Sequence, residues 1–241
     1  MPDPRRVPAW RPVMATAPSA RTEAREAVQR FLIHSVHWNI YESLLRELGD
    51  RPIRLTFDRG DLELMSLPDE QNLYTRLVDK LVKTLAEVTK TPLKCGKRLI
   101  FKRHELERGL EPDRYYYIDN DLPAREMREF NSAYDLPPDL VVEIDLLGSN
   151  LDRLGMYAAF WVPEVWRFDG RALGVYGLQG GRYDALACSP RFPFPPLTEA
   201  LQFLHQCETM DESCVVPSLH AWIREQIATE SPPESGLNGL A

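Results

Sequence analysis

Apolar positions in this chain recur with two periods, and the alternation between them predicts the order of its elements. WNIYESLLREL (38–48) predicts a short amphipathic helix, and Leu73, Leu77, Leu81, Leu85 and Val88 predict a longer one from Glu70 to about Lys90. Between them PIRLTF and LELMS alternate apolar and polar residues around DRGD (58–61), which predicts a hairpin with a glycine in its turn. KRLIFK (97–102) and RYYYI (114–118) read as strands, whereas 119–138 has little regular pattern and is long for a loop in a compact domain. PPDLVVEIDLLGSN (137–150) carries a buried strand. NLDRLGMYAAFW (150–161) follows as a helix capped by Asn150 or Ser149 and stopped by Pro163. EVWRFD (164–169) is a strand, ALGVYGL and RYDALA form a hairpin around Gly-Gly, and LTEALQFLHQC (197–207) and PSLHAWIREQIA (217–228) close the chain as helices.

The middle of the chain thus reads helix, strand, strand, strand, helix, strand. This is an α/β order with one mixed β-sheet flanked by helices, preceded by an N-terminal helix and hairpin. We expect one domain over 31–229 and flexible tails at 1–30 and 230–241.

The 241 residues, 44% hydrophobic and 27% charged, suit a globular protein, and no apolar run reaches the roughly 18 residues of a membrane span. The Pro- and Arg-rich N-terminus lacks the apolar stretch of a secretory signal and reads as a tail, with a transit-type leader the lesser alternative. Cys95, Cys188, Cys207 and Cys214 share no CxxC spacing, so reduced thiols in a cytoplasmic setting are expected. His34, His37, His104, His205 and His220 show no ligand spacing either. A net charge of -7 argues against non-specific phosphate binding by bulk electrostatics, although carboxylates that hold a metal would themselves add negative charge.

The carboxylates of 137–150 carry the candidate chemistry. Alternate strand residues share a face, so Asp139, Val141, Glu143 and Asp145 point one way and Leu140, Val142, Ile144 and Leu146 the other. Glu143 and Asp145 lie about 6.6 Å apart along such a strand and could approach one ion, whereas Asp139 lies about 13 Å from Glu143 and about 20 Å from Asp145. Asp139 is better placed as the residue that opens the strand. A second Pro-Asp, Pro112-Asp113, precedes RYYYI. If that strand neighbours the Glu143 strand, the two backbones lie about 4.8 Å apart and Asp113 can meet Glu143 as an oxygen pair for Mg²⁺ or Mn²⁺. Spacing alone leaves open the plainer reading, in which these acids are solvated or paired with arginine.

Several stretches together resemble the Uma-type restriction endonuclease family, whose members have a PD-(D/E)xK nuclease-like fold. They are YESLLRELGDRPIRLTFDRGDLELMS (41–66), FKRHELERGLEPDRYYYI (101–118), PPDLVVEID (137–145), LDRLGMYAAFWVPEVWRFDG (151–170) and FPFPPLTEALQFL (192–204). The resemblance implies a restriction-endonuclease-like αβββαβ core and hydrolysis of DNA phosphodiester bonds with Mg²⁺ or Mn²⁺. It also implies that Asp113 is the PD aspartate and Glu143 the second acidic ligand. A homodimer is compatible with cutting both strands. In the motif a lysine follows two residues after the glutamate, but Asp145 stands there. Relatives lacking that lysine often carry one four residues before the tyrosine matching Tyr157, where this chain has Arg153.

Arginine can stabilise phosphate charge but cannot act as a general base, because it stays protonated. Lys102, on the strand before Asp113, is the rival cation, and a surface salt bridge with Asp152 or Asp145 is the plainer role for Arg153. Gln71 stands where many relatives have histidine and cannot carry a proton near neutral pH. Glu70 is expected as a favourable charge at its helix N-terminus, or else an outer ligand. Glu63 is expected on a solvated face, Trp161 replaces a usual glycine, and Tyr115, Tyr116 and Tyr117 are expected in the core. The departures at Asp145 and Arg153 keep a second reading in play: a degenerate nuclease-fold module that binds nucleic acid or protein.

Overall fold

A computed structural model of the chain describes residues 29–66, 69–96, 98–119, 129–130, 135–193, 197–207 and 209–230. The expected tails, apart from 29, 30 and 230, and most of 119–138 lie outside these residues. The described strands form two six-stranded sheets rather than the single sheet expected.

The first sheet contains β1 (Arg30–Ile33), β2 (Ile53–Asp58), β3 (Asp61–Ser66), β5 (Ile100–Arg103), β6 (Arg108–Leu110) and β8 (Glu129–Phe130), in the order β1-β3-β2-β6-β5-β8. The predicted hairpin is β2–β3, and its turn places Arg59 and Gly60 at φ of 50° and 96°, the geometry that suits tight hairpins. One face of this sheet is covered by α1 (Trp38–Leu48), whose Trp38 and Tyr41 pack on Leu55, Phe57 and Leu62. Tyr41 stacks on Phe57 with ring centroids 5.3 Å apart. Gly109 of β6 lies directly under the Tyr41 ring, so only a residue without Cβ fits there.

The second sheet contains β4 (Lys94–Cys95), β7 (Arg114–Tyr117), β9 (Leu140–Ile144), β10 (Glu164–Phe168), β11 (Leu173–Gln179) and β12 (Arg182–Leu186), in the order β12-β11-β10-β9-β7-β4. β9 and β10 run parallel and the other pairs antiparallel, with α3 (Arg153–Ala159) in the crossover. Preceded by α2 (Asp69–Thr89), these elements give the αβββαβ core, α2-β4-β7-β9-α3-β10. α2, α4 (Leu197–Gln206) and α5 (Glu212–Glu230) cover one face of the sheet, against Tyr116, Leu140, Val142, Ile144 and Trp166. The other face carries Tyr115, Tyr117 and Val141 and packs against Leu99, Phe101 and Leu110 of the first sheet and Met156, Tyr157 and Phe160 of α3. The three tyrosines are therefore core residues split between two faces.

Several element readings change: β4, β6 and β8 were not expected, and β4 takes the core place given to the strand at 97–102. The strand expected at 97–102 is β5, and it joins the first sheet because it pairs with β6, a strand too short to show a period. β1, equally short, was not expected. α3 begins at Arg153 with Asp152 as its cap, accepting from the Gly155 amide at 2.9 Å, while Ser149 and Asn150, the expected caps, instead donate to Glu63 from the Ser149 hydroxyl and the Asn150 backbone amide. α5 starts at Glu212 and contains Pro217, whose missing N–H costs the helix one backbone bond. Among the described residues no helix is long and apolar enough to cross a membrane.

Gly109→Ala should destabilise the chain by about 1–3 kcal/mol through overpacking against Tyr41, measured as a lower urea midpoint with an unchanged m-value.

Candidate functional site

Antiparallel pairing brings the two acids together. β7 and β9 align Arg114 with Val142 and Tyr115 with Val141, so one further step sets Asp113 opposite Glu143. The Asp113 amide donates to the Val142 carbonyl at 3.1 Å and continues the ladder. By alternation both acids share the face of Tyr115 and Val141, which looks toward the first sheet. The site therefore lies in the seam between the sheets, where Asp113 is 7% and Glu143 4% exposed.

Buried carboxylates need partners, and here the partners are arginines. The first sheet sends Arg54 from β2 to Asp113, with a bidentate pair at 3.0 and 2.8 Å. The Ile144 amide at 2.8 Å and Gln71 Nε2 at 3.2 Å complete the carboxylate, and Thr75 Oγ1 lies 3.3 Å from Oδ1. Gln71 does not titrate, but its side-chain NH₂ is a donor to the site that sequence reasoning missed. Burial pushes the Asp113 carboxyl upward, yet the Arg54 charge and these hydrogen bonds outweigh burial and hold it below the usual carboxylate range.

Arg153, the first residue of α3, makes the matching pair on Glu143, from Nε at 2.8 Å and from a terminal nitrogen at 2.7 Å. Its remaining donors reach Thr56 Oγ1 of β2 at 2.6 Å and the Glu111 carbonyl at 2.7 Å. Tyr157, one turn along α3, donates its hydroxyl to Glu143 Oε1. Arg153 is thus a buried partner of Glu143, not a surface residue paired with Asp152 or Asp145. Burial acts to lower its pKa, but the facing Glu143 charge wins and moves it further above the ordinary arginine value. Burial, followed by the Glu143 charge, also pushes the Tyr157 hydroxyl well up.

Asp145 flanks this cluster but is committed elsewhere, accepting from Arg167 of β10 at 2.5 Å and from the Ser149 amide at 3.3 Å. Glu63 proves to be buried, 3% exposed, rather than solvated. It accepts from the Ser149 hydroxyl at 3.0 Å and the Asn150 amide at 3.2 Å, with Arg30 Nε 3.6 Å away. Its alternation was legible; that its face meets the second sheet instead of water was not. Lys102 is on the opposite side of the first sheet. It aligns with Gly109 and hence Phe57, on the α1 face, and its Nζ lies 3.7 Å from Glu42 of α1. The structure therefore brings Asp113, Glu143 and Arg153 together, sets Asp145 beside them, and leaves Lys102 apart. Asp139 anchors another junction, accepting from the Ile118 and Asp119 amides and Arg191. The Glu70 side chain lies outside the described residues.

A cleft of about 190 Å³ opens beside this cluster, lined by Glu143, Asp145, Asp152, Arg153, Tyr157 and Arg167 among others. As arranged, the acid pair does not fit a divalent ion. A carboxylate offers about four lone-pair sites. Arg54, Gln71 and the Ile144 amide fill those of Asp113, and Arg153 and Tyr157 leave Glu143 free only on Oε2. No group of three or more potential metal ligands occurs among the described residues.

The family model Uma2, described as "Putative restriction endonuclease", matches residues 38–208. Among solved structures the chain is similar to a protein described as a "putative nuclease belonging to DUF820 from Anabaena variabilis ATCC 29413". That match has 14% identity and a TM-score of 0.39, covering 70% of this chain and 90% of the other. No curated protein matches.

Asp113→Asn strands the buried Arg54 charge and should cost about 3–5 kcal/mol at pH 7, measured by urea denaturation. The folded carboxyl titrates below its unfolded value of about 3.9, so its contribution is complete above that pH and lost as pH falls through the folded value. Wild type should therefore lose stability below about pH 4 more steeply than the variant.

Proposed function

The chain belongs to the Uma2 family, and from that premise we propose that it is an endonuclease hydrolysing DNA phosphodiester bonds. The observation that carries this reading is the acid pair: Asp113 and Glu143 face each other across neighbouring strands of the αβββαβ core, and the resemblance to PD-(D/E)xK nucleases implies that they are the ion-holding acids. Mg²⁺ or Mn²⁺ on that pair is part of the proposal and would supply Lewis-acid polarisation of the diester and an activated water. As arranged, the pair is closed by Arg54 and Arg153. What the chain's own groups offer is charge. Arg54 and Arg153, each bidentate on a carboxylate, would stabilise phosphate charge through their field and not by direct contact, and neither can act as a base. Arg153 is better placed for this role than Lys102. Asp145, held by Arg167, is the proposed assisting acid on the cleft side. Cutting both strands of a duplex would pair two sites in a homodimer, and Cys95, Cys188, Cys207 and Cys214, none of them in a disulfide, suit the proposed cytoplasmic setting.

A second reading is favoured by the filled lone pairs of Asp113. In it, the chain keeps the nuclease fold as a module that binds nucleic acid or protein without cutting.

Incubation of plasmid and single-stranded DNA with Mg²⁺ or Mn²⁺ separates the two. The expected result is cleavage by wild type that drops by about 10²-fold or more in folded Asp113→Asn and Glu143→Gln variants. Equal cleavage by all three would assign the activity to a contaminant, and a wild type that binds DNA without cutting it would support the second reading.

A further inference from the structure

Two positive groups already occupy the cation's role at this site. Asp113 and Glu143 contribute two negative charges, and Arg54 and Arg153 contribute two positive ones, each in a bidentate pair. The four form one electrostatic unit, because Arg54 also feels Glu143 and Arg153 also feels Asp113. The set is neutral and buried. We infer that in the DNA-free protein Arg54 and Arg153 are the resident cations of the acid pair and exclude a divalent ion from it. The inference rests on Asp113 and Glu143 being the acid pair of the proposed nuclease.

Three features support exclusion. Asp113 has no lone pair left for an ion that demands near-octahedral oxygen ligation. A divalent ion added to a neutral cluster would leave two uncompensated positive charges out of water. Arg153 cannot swing aside cheaply either, because Thr56, the Glu111 carbonyl and Glu143 hold it from three directions. A lysine has three donors, too few for these four contacts and without the planar fork that grips both Glu143 oxygens, so the arginine is what closes the site.

The test is Mn²⁺ binding to the DNA-free chain, followed by calorimetry and by loss of the free-ion electron paramagnetic signal. Wild type should show no saturable binding up to millimolar Mn²⁺. Arg54→Gln, which removes one positive charge and frees Asp113, should gain a site at least roughly tenfold tighter. Adding Glu143→Gln to it should abolish the gain. Saturable binding by wild type that Glu143→Gln removes would overturn the inference, as would a folded Arg54→Gln chain that binds no better than wild type. A second measurement needs no substitution: the Arg153 Nε–H resonance of wild type should stay in place as Mg²⁺ is added, and its shift or loss would equally overturn exclusion. The two readings fail separately. DNA cleavage abolished by Asp113→Asn sustains the nuclease even if wild type binds Mn²⁺ alone, and absent cleavage removes the nuclease without touching the ion result.

Discussion

The pairing of two buried carboxylates with two arginines is the constraint around which the seam between the sheets is organised. Asp113 and Glu143 belong to the second sheet, Arg54 to the first, and Arg153 to the helix that crosses between β9 and β10. None of the four could stay buried alone, because an unpaired charge in this position would cost several kcal/mol. Pairing replaces water with fixed partners of known geometry, and in doing so sets how β2, β7, β9 and α3 sit against one another. Buried ion pairs of this kind are weak contributors to net stability compared with apolar packing, but breaking one is expensive. Their effect is therefore on position more than on total stability.

A second polar layer holds the loop that carries Arg153. Glu63 grips the Ser149 hydroxyl and the Asn150 amide, Asp145 grips the Ser149 amide and Arg167, and Asp152 caps α3. The charge of Asp145 is spent on ordering the turn and on Arg167, while Arg153, eight residues later in the chain, supplies the positive charge that meets Glu143. The two acids and two arginines together make a neutral cluster.

Much of the fold was legible along the chain because its signals are local. The hairpin at 53–66, the long helix α2, the strands at Arg114 and Leu140 and the Gly-Gly hairpin each repeat a period or a turn residue within a few positions. The meeting of Asp113 and Glu143 was legible only on the condition that their strands were neighbours, and spacing left open the pairing with arginine that the structure shows. What failed was partner choice. Two short strands, β1 and β6, carry too few residues for a period, and the pairing of β6 with both β2 and β5 is what draws β5 into a separate sheet.

The sequence by itself determined the longer helices and strands and the two carboxylates, because periodicity and turn chemistry act between near neighbours, whereas the short β4, and not the strand at 97–102, opens the αβββαβ core. Only the tertiary structure decided what those carboxylates touch. Arg54 lies 59 residues from Asp113, and Thr56 lies 97 from the Arg153 it holds, distances across which no local pattern runs. Whether an alternating face meets water or another sheet is equally a matter of packing, as Glu63 shows. Burial turned these distant residues into obligatory partners, since a charge removed from water must be met by the nearest opposite charge the fold can supply.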